Sequence, residues 1–140
     1  MQENSDVTFR LYDWDRVDAK TGKHRDLQLD EALACIDFDQ VDIGPVTPVK
    51  EGINTNTEKL FDDAHFLLWR TKSDTLFSVG CKNEPRILVC IDGSGELRYN
   101  GKDFSLTKGD VMLLPASVGQ CDFDPVNEIT LLEIAIPAKM

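Results

Sequence analysis

Hydrophobic and polar residues alternate most clearly between Arg86 and Asp124, and that stretch organises the rest of the chain. Ile87, Val89 and Ile91 interleave with Leu88 and Cys90, which predicts a strand apolar on both faces and buried on both. Asp92-Gly93-Ser94-Gly95 is a turn cluster, after which Glu96 to Tyr99 alternates again. Asn100-Gly101 follows, the dipeptide that most readily takes positive φ at both centres of a type I′ turn. Lys102 to Leu106 then places Phe104 and Leu106 on one face, and Lys108-Gly109-Asp110 turns the chain into Val111–Leu114, stopped by Pro115. Four strands joined by connections too short for helices predict antiparallel neighbours.

Elsewhere the pattern is thinner. Val7 to Tyr12 predicts a strand, with Thr8, Arg10 and Tyr12 on one face. Asp13 to Arg25, with Thr21-Gly22-Lys23, predicts an exposed loop or hairpin tip. Leu29 to Ile36 is the one helical segment: Asp30 and Glu31 suit its N-terminus, and Leu29, Ala32, Leu33 and Ile36 share a face expected to pack on the outside of the strands. Gly44-Pro45 and Pro48 mark an edge or irregular segment, and Glu51 to Thr57 a polar loop around Gly52 and Asn54. Strands are expected over Glu58–Phe61, Ala64–Arg70, Thr75–Val79 and Ile129–Ile136, the last ended by Pro137, with turns at Cys81–Pro85 and Asp124–Asn127.

Composition narrows the function classes. A 140-residue chain with 41% hydrophobic residues suits a single domain, residues 1–140, with its own core. A net charge of −10 argues against nucleic acid or an anionic membrane as partner. No apolar run is long enough to span a bilayer, and no signal-peptide pattern follows Met1. Cys35, Cys81, Cys90 and Cys121 lack paired spacing, so reduced thiols in the cytoplasm are the expectation. His24 lies between Lys23 and Arg25, and His65 begins an apolar run; neither has a second histidine at ligand spacing.

Gly93-Ser94-Gly95, Lys108-Gly109-Asp110 and Leu114-Pro115-Ala116 together resemble the core of the cupin superfamily, which implies a mainly β, jelly-roll barrel with one short helix. Where metal-binding cupins carry histidines, Leu76 to Ile91 has none, and the stretch after Pro115 reads Ala116-Ser117-Val118-Gly119-Gln120. The run Gln2 to Arg16 resembles class I, zinc-dependent mannose-6-phosphate isomerases of the short bacterial type, whose pattern is Q-x-N-S-D-x-T-Y-R-x-Y-D. Phe9 stands for the usual tyrosine and Asp15 for a frequent glycine. The resemblance implies that the chain is the C-terminal cupin-like half of such an enzyme. It maps one catalytic residue, Arg10, which would stabilise the anionic cis-enediol intermediate. The zinc ligands and an active-site glutamate of the family fall before Met1. No metal or cofactor residue is therefore expected in this chain, and the chain alone is expected to be inactive. Its expected partners are an N-terminal isomerase half, a sugar phosphate only once that half is restored, and a second copy paired through an exposed strand edge at Met1 to Tyr12. The alternative is a free-standing, non-catalytic cupin module for sugar binding or assembly.

Overall fold

Gly93 and the Asn100-Gly101 pair break the alternation where the sequence marks turns, and strands fill the spaces between them. The computed structural model describes residues 7–40, 44–51 and 56–136. It divides into two compact units, Met1–Gly44 and Pro45–Met140. The Gln2–Asp6 part of the N-terminal motif, Gly52 and Asn54 of the polar loop, and Pro137 lie outside the described residues.

The second unit holds ten strands among its described residues: β1 Val49–Lys50, β2 Thr57–Asp62, β3 Leu67–Ser73, β4 Phe77–Val79, β5 Arg86–Asp92, β6 Ser94–Tyr99, β7 Lys102–Thr107, β8 Val111–Leu114, β9 Cys121–Pro125 and β10 Ile129–Ala135. They form a six-stranded sheet, β1-β2-β3-β10-β5-β8, and a four-stranded sheet, β4-β9-β6-β7. Every pairing is antiparallel. The arrangement is a mainly β, cupin-like sandwich and not the closed barrel expected from the sequence.

Chain neighbours are not always sheet neighbours. The Asn100-Gly101 turn, with φ of +50° and +70°, joins β6 and β7 as a paired hairpin. Gly93, in contrast, hands the chain from one sheet to the other, and β5 pairs with β8 and β10 instead of β6. Gly93 has φ +80°, and a Cβ there would lie 2.4 Å from the Glu128 carbonyl oxygen. Only glycine fits that crossing.

Residues from both sheets fill the space between them: Leu88 and Cys90 of β5, Leu97 of β6, Leu106 of β7, Phe123 of β9, and Ile129 and Leu131 of β10. Complete burial of side chains such as Leu88 or Phe123 contributes roughly 1.5–3 kcal/mol each. The expectation that β5 is buried on both faces fails on one of them. Ile87 and Ile91 remain 36% and 41% exposed, because the outward face of the six-stranded sheet meets solvent there. His65 sits in the turn between β2 and β3, where its N–H donates to Asp63 Oδ1 at 2.8 Å, instead of opening β3.

The first unit has little regular structure. Residues 7–12 form no strand, and the Met1–Asp6 part of the edge expected to pair with a second copy lies outside the described residues. The helix, α1, spans only Leu29–Ala34 and buries Ala32 alone, while Leu29, Leu33 and Ile36 stay exposed. The hairpin tip is as expected: Asp18 Oδ1 accepts the N–H groups of Lys20 and Thr21, Gly22 takes φ +66°, and Val17 bridges His24. That carboxylate closes the loop in the manner of an Asx turn.

Candidate functional site

Arg10, the one residue to which the family resemblance gives a catalytic role, is held at its backbone by a reciprocal clamp. Its N–H donates to Gln28 Oε1 at 3.0 Å, and its carbonyl accepts the Gln28 N–H at 3.0 Å. The guanidinium is 28% exposed, and its Nη1 donates to the Asp26 carbonyl at 3.2 Å. Its Nε lies 3.9 Å from Asp13 Oδ1, too far for a hydrogen bond. The charge on Asp13 is taken elsewhere.

Asp13 is 7% exposed and carries two other arginines. Arg16 donates to Oδ1 through Nε at 3.1 Å and Nη2 at 2.5 Å. Arg25 engages both oxygens, with Nε to Oδ2 at 2.7 Å and Nη2 to Oδ1. The Arg25 hydrogen bond is the main reason the Asp13 carboxyl titrates at about 2, with Arg16 adding to it against the opposing effect of burial. Positive φ at Trp14 (+47°) and Asp15 (+53°) folds the chain back so that Arg16 reaches Asp13. Asp15, standing where the resembling family frequently has glycine, thus occupies a left-handed conformation.

Arg10, Lys23, His24, Arg25, Asp26 and Gln28 line a cleft of about 560 Å³. His24 is an exposed wall of that cleft, in keeping with its reading as a surface residue. Asp18 and Thr21 complete the lining, so Arg10, Lys23 and Arg25 face two carboxylates, Asp18 and Asp26, and the Arg10 guanidinium suits a developing oxyanion. The sequence reading singled out Arg10 but treated Asp13 to Arg25 as a solvated loop. The partnership of Asp13 with Arg25 spans twelve residues, and no local pattern marks it.

In the second unit, Arg86 shares the inward face of β5 with Leu88 and Cys90, and its side chain is 9% exposed. It lies 2.9 Å from Glu84 and 3.3 Å from Glu133, with Cζ 4.9 Å from the Trp69 ring centroid. Burial pushes the Glu133 carboxyl up, against a hydrogen bond from the Gly80 N–H and the Arg86 charge. The inward parity with Leu88 and Cys90 is the sequence signal that could have exposed this group. Among the described residues, no group of three or more His, Cys, Asp or Glu is arranged to hold a metal ion. The described residues offer no donor set for the zinc that the family resemblance implies.

The family model for the mannose-6-phosphate isomerase cupin domain matches residues 65–129. The chain is 34% identical over 135 residues to YvyI of Bacillus subtilis (strain 168), a protein provisionally named as a mannose-6-phosphate isomerase; the match covers 94% of this chain and 40% of that protein. It is 29% identical to the mannose-6-phosphate isomerase ManA of the same organism, over 85% of this chain and 38% of ManA. The crystal structure of mannose 6-phosphate isomerase from Bacillus subtilis superposes with a TM-score of 0.76 at 28% identity, covering 95% of this chain and 41% of the enzyme. Phosphomannose isomerase of Salmonella typhimurium, at 17% identity and TM-score 0.65, shares the fold. The chain thus spans about 40% of the length of these relatives, and it corresponds in sequence and fold to the C-terminal, cupin-like part of the mannose-6-phosphate isomerase family.

Proposed function

We propose that the chain works as the C-terminal part of a mannose-6-phosphate isomerase, in which an N-terminal half supplies the base and the metal and this part supplies Arg10. The reaction is the interconversion of mannose 6-phosphate and fructose 6-phosphate, with a proton moved between C1 and C2. Arg10 stabilises the enediolate oxygen as charge develops on it. The observation carrying this reading is the Arg10 geometry: backbone clamped by Gln28, Nη1 steadied by Asp26, and the nearby Asp13 charge taken by Arg16 and Arg25. A guanidinium preorganised in this way needs little rearrangement in the transition state. Zinc is implied by the family resemblance alone, and its ligands would come from the N-terminal half. The four cysteines are free, which suits a reducing compartment, and we place the protein in the cytoplasm.

The test is reconstitution with the N-terminal half of ManA from Bacillus subtilis, on separate chains or fused. Arg10→Ala is expected to lower kcat and kcat/KM together by roughly ten- to a thousandfold, with KM little changed. Turnover unchanged in a correctly folded variant would return Arg10 to a surface role. The second reading, a non-catalytic cupin module, is favoured by one observation: the family match covers residues 65–129, which excludes Arg10. Equal turnover with and without this chain would favour that module.

A further inference from the structure

The second unit has a basic depression of its own, on the outward face of the six-stranded sheet. Along β3, Trp69 and Thr71 lie on the inward side, so Arg70 and Lys72 project outward. Register brings Lys50 and Glu58 into line with Arg70 across β1, β2 and β3, and sets Thr130 of β10 beside Lys72. With Asn56 and Ile91 these residues line a cleft of about 460 Å³. That volume falls within the roughly 300–1,000 Å³ of small-molecule sites.

The charge balance in the cleft runs against that of the chain. Among the lining residues three cations, Lys50, Arg70 and Lys72, face one carboxylate, Glu58, with Asp92 beside Thr130 near enough to feel the Lys72 charge but held by Lys108. Glu58 is tied to Arg70 Nη2 at 2.5 Å. Lys72 reaches Glu128 at 3.0 Å, an exposed pair outside the cleft lining that contributes little. Among the described residues no carboxylate lies within ion-pair distance of Lys50. A lysine on an edge strand can simply discourage strand addition, which accounts for Lys50 on β1. It does not account for Arg70 and Lys72, because β3 lies between β2 and β10 inside the sheet.

We propose that this cleft binds a small phosphorylated polyol. The dianionic phosphate is held by Lys50 and Lys72 beside the Arg70 guanidinium. Glu58, Asn56 and Thr130 exchange hydrogen bonds with the hydroxyl groups, and Ile91 covers the carbon chain. Cations of both kinds favour a phosphate over a neutral sugar, and a carboxylate already neutralised by arginine is an acceptor for hydroxyl donors. All of these residues lie in the Pro45–Met140 unit, whereas Arg10 lies in the Met1–Gly44 unit.

The experiment is an amide-resolved NMR titration of the full chain with inorganic phosphate, glucose 6-phosphate and glucose. Glucose 6-phosphate is expected to give saturable shifts centred on Lys50, Arg70, Lys72 and Thr130. Inorganic phosphate should bind the same residues more weakly, glucose should not bind, and added salt should weaken the phosphorylated probes. Lys50→Ala and Lys72→Ala, both at exposed positions, should each weaken glucose 6-phosphate about tenfold or more. No saturable shift at millimolar glucose 6-phosphate, equal binding of glucose, or wild-type affinity in the Lys50→Ala, Lys72→Ala double variant would each overturn the proposal. None of those results bears on turnover through Arg10.

Discussion

Two carboxyls, Asp13 buried and Glu133 half-buried, show how the same residue class behaves oppositely in the two units. Asp13 is stabilised as the anion by Arg25 and Arg16 and titrates at about 2, below its ordinary value of 3.8. A depressed folded value adds stability that is complete above the unfolded value and is lost as pH falls through the folded one. The first unit should therefore loosen as pH drops from about 4 to 2. Asp13→Asn should remove that pH dependence while weakening the loop at neutral pH. Backbone amide exchange at Arg16 and Arg25 across that range is the measurement, and an unchanged profile in the variant would contradict the assignment. Glu133 has the reverse sign: burial raises its value, so its contribution is complete at low pH and declines as pH rises through the folded value. Truncating its partner strands the charge. Arg86→Ala should cost about 3–5 kcal/mol, whereas Arg86→Met with Glu133→Leu should be close to neutral. Urea midpoints of the two variants decide this, and equal losses would mean that the ion pair is not the dominant interaction there.

Strand ends and turns were legible because they depend on local conformational preference. Asn100-Gly101 takes the two positive φ values its type I′ turn requires, and the strands over Glu96–Tyr99 and Lys102–Leu106 follow from it. Partner choice was not legible. Nothing local to β5 shows that its neighbours are β8 and β10, since β10 begins thirty-seven positions after Asp92. Strand β9 escaped notice because Cys121 and Phe123 are its only apolar inward residues between acidic ones. The segment 7–12 alternates like a strand yet takes no strand conformation, its Arg10 backbone being tied to Gln28 instead of to a sheet ladder. The glycines give this a quantitative test. Gly93→Ala meets both a left-handed φ and a 2.4 Å contact with the Glu128 carbonyl oxygen, so it should cost more than about 2 kcal/mol. Gly101→Ala has open space around its Cβ and only the φ penalty, about 1–2 kcal/mol. Denaturant unfolding should rank them in that order, and a reversed ranking would mean that the crossing between the sheets relaxes.

For the whole molecule, what the chain can do alone depends on the chemistry its own residues offer. It matches its relatives along nearly its entire length while covering about 40% of theirs. Aldose–ketose isomerisation needs a base to carry the proton between carbons and a polarising group on the carbonyl oxygen, in addition to charge stabilisation of the enediolate. Arg10 meets only the last of these, because a guanidinium stays protonated and does not accept a proton near neutral pH. No His, Cys, Asp or Glu cluster among the described residues supplies the ligand set of a metal that could polarise the carbonyl. The 140-residue chain by itself is therefore expected to show no mannose 6-phosphate isomerase turnover and no stoichiometric zinc, and to gain turnover when the N-terminal half of ManA is added. Metal analysis of the purified protein beside a coupled isomerase assay, each run with and without that half, measures both. Near-stoichiometric zinc together with turnover in the chain alone would overturn the assignment of this part as the arginine-bearing half.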